Sequence, residues 1–182
     1  MLFLTDILAT GYEVGVLNGQ VRPGDAVVIV GAGPVGLSST VTAKLFSLRN
    51  IVVVERTSAR REMALKLGAT HAVGEDQVHE LVGKLTGGYG ADVTIEAVGF
   101  PDAFELAADL VRSGGRVADI GVHEGPATLH PIPQLDELHR DGRPRRHPAD
   151  QPPPAVSETM QGYDIFTRSA ETGALKVVLT ND

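Results

Sequence analysis

Gly31, Gly33 and Gly36 follow five apolar residues, Ala26-Val-Val-Ile-Val30, and open a helical pattern. A Gly-x-Gly-x-x-Gly run means little alone. Closing a strand and starting a helix, it forms a cradle for a pyrophosphate. Gly31 permits the tight turn, Gly33 lets the backbone approach the anion, and Gly36 lets helix and strand pack closely. The first N–H groups of the helix and its dipole favour negative charge there. Glu55 ends the next apolar run, 24 residues after Gly31. A carboxylate at that place accepts both hydroxyls of an adenosine ribose and repels a 2′-phosphate, which favours NAD over NADP. Arg56, Arg60 and Arg61 argue the other way, because arginine accommodates a 2′-phosphate. A solvated strand-end carboxylate is the competing reading of Glu55.

Other chemistry is limited by composition. The 182 residues include no cysteine, so disulfides and Cys-ligated zinc are excluded, in keeping with a reducing cytoplasm. A net charge of −7 argues against nucleic acid or an anionic membrane as partner. The N-terminus has no basic segment ahead of its apolar residues, and no apolar run approaches the ~20 residues of a membrane helix. No two histidines have a ligand spacing such as i, i+4 on a helix. His71 reads as a surface residue at a strand start. The arginines between Arg140 and Arg146 have no interleaved aromatics, and read as a solvated stretch rather than a nucleic-acid patch.

The elements that must position the cradle alternate along the chain. Strands are expected at 26–30, 51–55, 71–73, 92–97 and 116–120, with helices at 35–46, 59–67, 78–85 and 103–111. In the first of these helices Leu37, Val41 and Leu45 recur every four residues as one apolar stripe. Gly68, Gly87-Gly88, Gly99-Phe100-Pro101 and Gly114-Gly115 mark turns. Strands alternating with helices imply an α/β fold, a doubly wound parallel sheet of Rossmann type. Residues 4–18 read as a leading helix containing Gly11 and Gly15, with Gly19 as its stop. Residues 131–154 hold seven of the 11 prolines, and no Phe, Trp or Tyr falls between Phe104 and Tyr163. Disorder is expected there. Met160, Tyr163 and Phe166 then share a helical face, and 174–179 reads as a strand. The expected organisation is 1–130 as an NAD-binding domain, 131–156 as a Pro/Arg-rich segment and 157–182 as a helix–strand piece.

Several motifs in order carry a resemblance. They are Leu4-Thr-Asp-Ile-Leu-Ala-Thr-Gly-Tyr-Glu13, Val21-Arg-Pro-Gly-Asp25, Gly31-Ala-Gly-Pro-Val-Gly36, Leu67-Gly-Ala-Thr-His71, Gly90-Ala-Asp-Val93, Ile95-Glu-Ala-Val-Gly99 and the stretch from Gly114 to His123. Together they resemble the cofactor domain of the zinc-containing medium-chain alcohol dehydrogenases. Tyr163-Asp-Ile-Phe166 and Glu171-Thr-Gly-Ala-Leu-Lys-Val-Val-Leu179 resemble that family's last helix and strand. The resemblance implies that Gly31, Gly33 and Gly36 shape the pyrophosphate turn. Val35 would give an N–H and an apolar wall near the nicotinamide, which Pro34, having no N–H, cannot. Glu55, Arg56 and Arg60 would meet the adenosine ribose, and Val98 and Gly99 would lie along the groove. Val122 and His123 would flank the nicotinamide, with Thr10 behind it as the catalytic-side residue.

Asp6 matches the position that completes the family's catalytic zinc site, where zinc accepts an oxygen ligand. Its other reading, favoured here, is the N-cap of the helix starting at Ile7. The resemblance implies NAD and zinc as cofactors, a secondary alcohol or polyol as substrate, and hydride transfer as the reaction. Residues 131–156 do not resemble the family. They replace its sixth strand, which exposes the fifth as an edge and weakens the usual dimer. The chain holds the cofactor half and one ligand position, so its alternative reading is a non-catalytic NAD-binding remnant.

Overall fold

The computed structural model describes residues 6–123 and 125–129. Expectations for 131–156 and 157–182, including the disordered segment, the final helix and strand and the missing sixth strand, lie outside them. A short helix, α1 (Ile7–Thr10), runs straight into a π-helical stretch, Gly11–Leu17. Then follow β1 (Ala26–Val30), α2 (Pro34–Ala43) with a 3-10 turn at Lys44–Phe46, β2 (Asn50–Val54), α3 (Ser58–Leu67) and β3 (His71–Val73). The described chain continues with α4 (Glu75–Thr86), β4 (Ala91–Glu96), α5 (Pro101–Leu110) and β5 (Val111–Asp119).

All four strand pairings are parallel, and the order is β3-β2-β1-β4-β5. This is the expected doubly wound α/β sheet. The apolar strands divide cleanly by alternation. Val27, Ile29, Ile51, Val53, Val93 and Ile95 face a core closed by Val16, Ala43 and Ala64. Val28, Val30, Val52 and Val54 face the other, closed by Val78, Val82, Ala107 and Leu110. Burial on both faces is why these strands are continuous apolar runs rather than alternating ones.

Two local expectations need correction. The Leu37–Val41–Leu45 stripe is not the buried face of α2. Val41 is 38% and Leu45 74% exposed, while Gly36, Ser38, Ser39, Thr40, Thr42 and Ala43 are buried. Small residues win because the leading segment lies very close. A Cβ at Gly11 would stand 2.5 Å from Ser38 Oγ, and one at Gly15 2.8 Å from Ser39 Oγ. The buried hydroxyls are satisfied by carbonyls, Thr40 donating to Gly36 (2.9 Å), Thr42 to Ser38 (2.9 Å) and Ser38 to Leu8 (3.1 Å).

The expected leading helix is present over the described part of 4–18, mostly in π form. The second correction concerns β5, which begins at Val111 and absorbs the Gly114-Gly115 turn. Ala91 pairs with Val111 but Val93 with Arg116, so five steps of β5 match two of β4. Gly114 takes φ +72° in that irregularity, a conformation open to glycine at little cost.

Candidate functional site

The strand order reverses between β1 and β4, and a cleft of about 490 Å³ opens there beyond the carboxyl ends of β1, β2 and β4. Such crevices are where doubly wound sheets bind ligands. Gly31, Gly33 and Pro34 form its floor at the start of α2, with Pro34 in the first helical turn. Gly31 has φ +99°, and its N–H donates to Val54 (2.8 Å). The three glycines differ in what they border. A Cβ on Gly36 would collide with the carbonyl oxygen of Gly31, whereas one on Gly33 would meet no atom within 4 Å. The chain's own packing therefore demands Gly36. Nothing in it demands Gly33, which borders open cleft. A bare backbone lining a cleft at a helix N-terminus fits a pyrophosphate.

Glu55 stands just past β2, in the cleft wall, its side chain 10% exposed. Its Oε2 accepts the N–H of Ala32 (3.0 Å), inside the glycine turn, and its Oε1 accepts the N–H of Thr57 (2.9 Å). Arg60 Nη1 lies 3.7 Å from Oε2. Burial pushes this carboxyl up. The N–H groups of Thr57 and Ala32 and the Arg60 guanidinium outweigh it, and hold it below the ordinary carboxylate range. Glu55 is therefore ionised and tied to the glycine turn. Arg56 and Arg60 also line the cleft, but Arg56 pairs with Glu75 (3.0 Å). Arg61 spends one nitrogen on the carbonyls of Glu55 and Arg56, 2.8 Å each.

Of the other residues singled out by sequence, Val98 lines the cleft. Val35, Gly36, Gly99, Val122, His123, Thr10 and Asp6 are not among its lining residues. Gly99 is buried, and Val122 is 87% exposed. Asp6 makes no side-chain cap bond to α1. Its Oδ1 instead accepts the hydroxyl of Thr10 (3.2 Å), one turn on, so the favoured N-cap reading gives way to a side-chain pair. Among the described residues, no group of three His, Asp or Glu side chains close enough to share an ion includes Asp6. A catalytic zinc needs three protein ligands, so the described residues do not fit one at Asp6.

Sequence reasoning missed the far wall of the cleft, made by Phe100, Pro101, Asp102, Ala103 and Leu106 at the start of α5, with Glu75 at the start of α4. Only the sheet order brings α5 over β1. It also missed the company His123 keeps. Nε2 lies 2.9 Å from Asp119 and 3.4 Å from the fully buried Glu96. A signal existed: Glu96 is a charge at the end of an otherwise buried parallel strand.

Comparison with known proteins bears on this geometry. The family model described as "Zinc-binding dehydrogenase" matches residues 34–142. An "Alcohol dehydrogenase" of Cupriavidus necator is 35% identical over 132 residues, covering 71% of this chain and 36% of that protein. A "Sorbitol dehydrogenase" of Bacillus subtilis is 37% identical over 105 residues, 57% of this chain and 30% of its own. The chain thus spans about a third of the length of these curated relatives. The structure of alcohol dehydrogenase TADH from Thermus sp. ATN1 superposes with TM-score 0.66 at 32% identity, covering 99% of this chain and 59% of that one. With a glycine turn and an ionised Glu55 at the switch point, and with this match, the chain belongs to the zinc-binding dehydrogenase family, the zinc-type alcohol dehydrogenase lineage of oxidoreductases.

Proposed function

We propose that this chain is the NAD-binding part of a zinc-type dehydrogenase that oxidises a secondary alcohol or polyol to a carbonyl compound. The carrying observation is Glu55, ionised and hydrogen-bonded to the glycine turn through Ala32. NAD, when bound, accepts the hydride. The chain's residues position it. The turn at Gly31 and Gly33 and the N-terminus of α2 receive the pyrophosphate, and Glu55 accepts the ribose hydroxyls. An adjacent 2′-phosphate would face that carboxylate, and of the nearby arginines Arg56 and Arg61 already have partners. Arg60, 58% exposed, extends over the adenosine side.

Val98, Gly99, Val122 and His123 are assigned to the nicotinamide end, with Thr10 behind the ring. The substrate is a small alcohol, with neither nucleic acid nor membrane as partner, and the expected compartment is the cytoplasm. Among the described residues no helix is long and apolar enough to cross a membrane. Among the described residues β5 is the last strand of the sheet, and a weakened oligomer is part of this reading.

Among the described residues Asp6 has no companion ligands, which favours a second reading, in which these residues bind NAD and do no chemistry by themselves. Calorimetric titration of the full chain with NAD and NADP tests the cofactor assignment. NAD should saturate at submillimolar concentration and NADP should bind at least about tenfold more weakly. Equal or tighter NADP binding overturns the assignment, as does no saturation by NAD at millimolar concentration. Adding zinc and a panel of secondary alcohols separates the two readings. Turnover supports the enzyme, and cofactor binding without turnover supports the binding module.

A further inference from the structure

Glu96 ends β4 with a fully buried side chain. Its Oε1 accepts the N–H groups of Val98 (2.7 Å) and Gly99 (2.9 Å). Among the described residues its Oε2 has no conventional hydrogen bond, and it lies 3.4 Å from His123 Nε2, the nitrogen that Asp119 Oδ1 holds at 2.9 Å. The edge of the Phe104 ring from α5 sets the imidazole, with centroids 5.7 Å apart at 74°. The surroundings are cut to fit. A Cβ on Gly121 would collide with Oε2 of Glu96, and one on Gly99 would stand 3.0 Å from the carbonyl oxygen of Val122. One carboxyl therefore touches two loops, residues 97–99 after β4 and residues 121–123 after β5. The first of these reaches the phosphate turn, because a Cβ on Gly31 would meet Val98 Cγ2 at 2.7 Å.

We propose that Glu96 is a positioning residue for the cofactor cleft. One oxygen sets the 97–99 loop, and the other holds the 121–123 loop beside it through a proton shared with Asp119 and His123. The proposal rests on the cofactor reading above. Among the described residues, Asp119 from β5 and His123 from the following loop are the charged groups that face Glu96. α5 brings an uncharged ring, and the 97–99 loop brings backbone N–H groups. Without a proton, two carboxylates confront each other around a neutral imidazole, and one of them is fully buried. With one, repulsion becomes a charge-assisted link. Burial first, then the Asp119 carboxyl, push Glu96 up against the pull of the Gly99 and Val98 N–H groups. The hydrogen bond to Asp119 raises His123 against its own desolvation, and Glu96 adds to the rise. Both shifts have one sign: the link is whole at low pH and loosens as pH rises through the raised values.

Glu96→Gln keeps an amide oxygen for Val98 and Gly99, and offers Asp119 an N–H donor at every pH. Glu96→Ala removes both ends of the link. NAD affinity of the full wild-type chain should fall about tenfold between about pH 6 and 9, the effect of one unit of differential titration. Glu96→Gln should stay flat within about twofold, and Glu96→Ala should bind about tenfold more weakly throughout. Without cofactor, the amide resonances of Val98 and Gly99 should titrate together with the His123 ring in the wild type, and lose that titration in Glu96→Gln. Wild-type amides that do not titrate overturn the proposal, as does a Glu96→Ala chain with the wild-type affinity profile. If the wild type fails to bind NAD, the cofactor reading falls, and the cofactor-free titration decides the link alone. Co-titration then upholds it and flat resonances overturn it.

Discussion

Gly33 and Gly36 show how two identical residues, three apart, do different work. Gly36 is fixed by the fold, because a Cβ there runs into the backbone of Gly31. Gly33 has φ −70°, which any residue tolerates, and no neighbour for a Cβ. Gly33→Ala should therefore keep the stability or raise it slightly, by up to about 1 kcal/mol through reduced unfolded-state entropy. It should also weaken NAD by about tenfold or more, because the methyl occupies the anion's place. Gly36→Ala should lose about 1–3 kcal/mol of stability. Thermal melts and NAD titrations of the two variants check the pair, and equal NAD binding by Gly33→Ala and wild type refutes the cradle. These glycines and Glu55 were legible in sequence because spacing along one strand–turn–helix places them. Asp119 and Glu96 beside His123 were not, because they come from different strands and meet only when β4 pairs with β5.

At the scale of elements, the leading segment and α2 depend on closeness rather than on bulk. Gly11 and Gly15 let the π-helical stretch approach Ser38 and Ser39, and Ser39 Oγ reaches the carbonyl of Gly11 (3.2 Å). A Cβ on Gly11 would stand 2.8 Å from the backbone nitrogen of Ser39, which cannot move aside as a side chain can. Gly11→Ala should destabilise by about 1–3 kcal/mol despite the better helix propensity of alanine. Chemical denaturation checks this, and an unchanged midpoint would refute the contact. Gly11 and Gly15 stand in the expected leading helix, but the α2 stripe misled. Spacing of four identifies a face of a helix without saying which face the fold covers. Here small hydroxyl residues outcompete Val41 and Leu45, because the approaching backbone leaves no room for bulk.

The whole molecule carries opposing titrations. Burial raises the carboxyls of Asp92 and Glu55, but their partners hold both below the ordinary range. For Asp92 these are the Ala26 N–H, Arg112 at 2.7 Å and Arg49 at 3.4 Å. Stability from these groups is present above the unfolded carboxylate range, and is lost as pH falls through their lowered values. Glu96 and His123 are raised, so their contribution is full at low pH and is lost as pH rises through theirs. Tm should therefore peak between the two ranges, falling as pH drops through the lowered values of Asp92 and Glu55 and again as it rises through the raised values of Glu96 and His123. Asp92→Asn should blunt the acid limb and lose about 1–3 kcal/mol at neutral pH. A Tm that climbs steadily to alkaline pH would contradict this.

The sequence by itself determined the alternating strands and helices, the parallel α/β class, the glycine turn and the acidic residue beside it, since all of these depend on local period and spacing. Only the tertiary structure decided which face of α2 is buried and that α5 walls the cleft. It alone placed a buried glutamate between two loops, because those facts depend on which strands lie side by side.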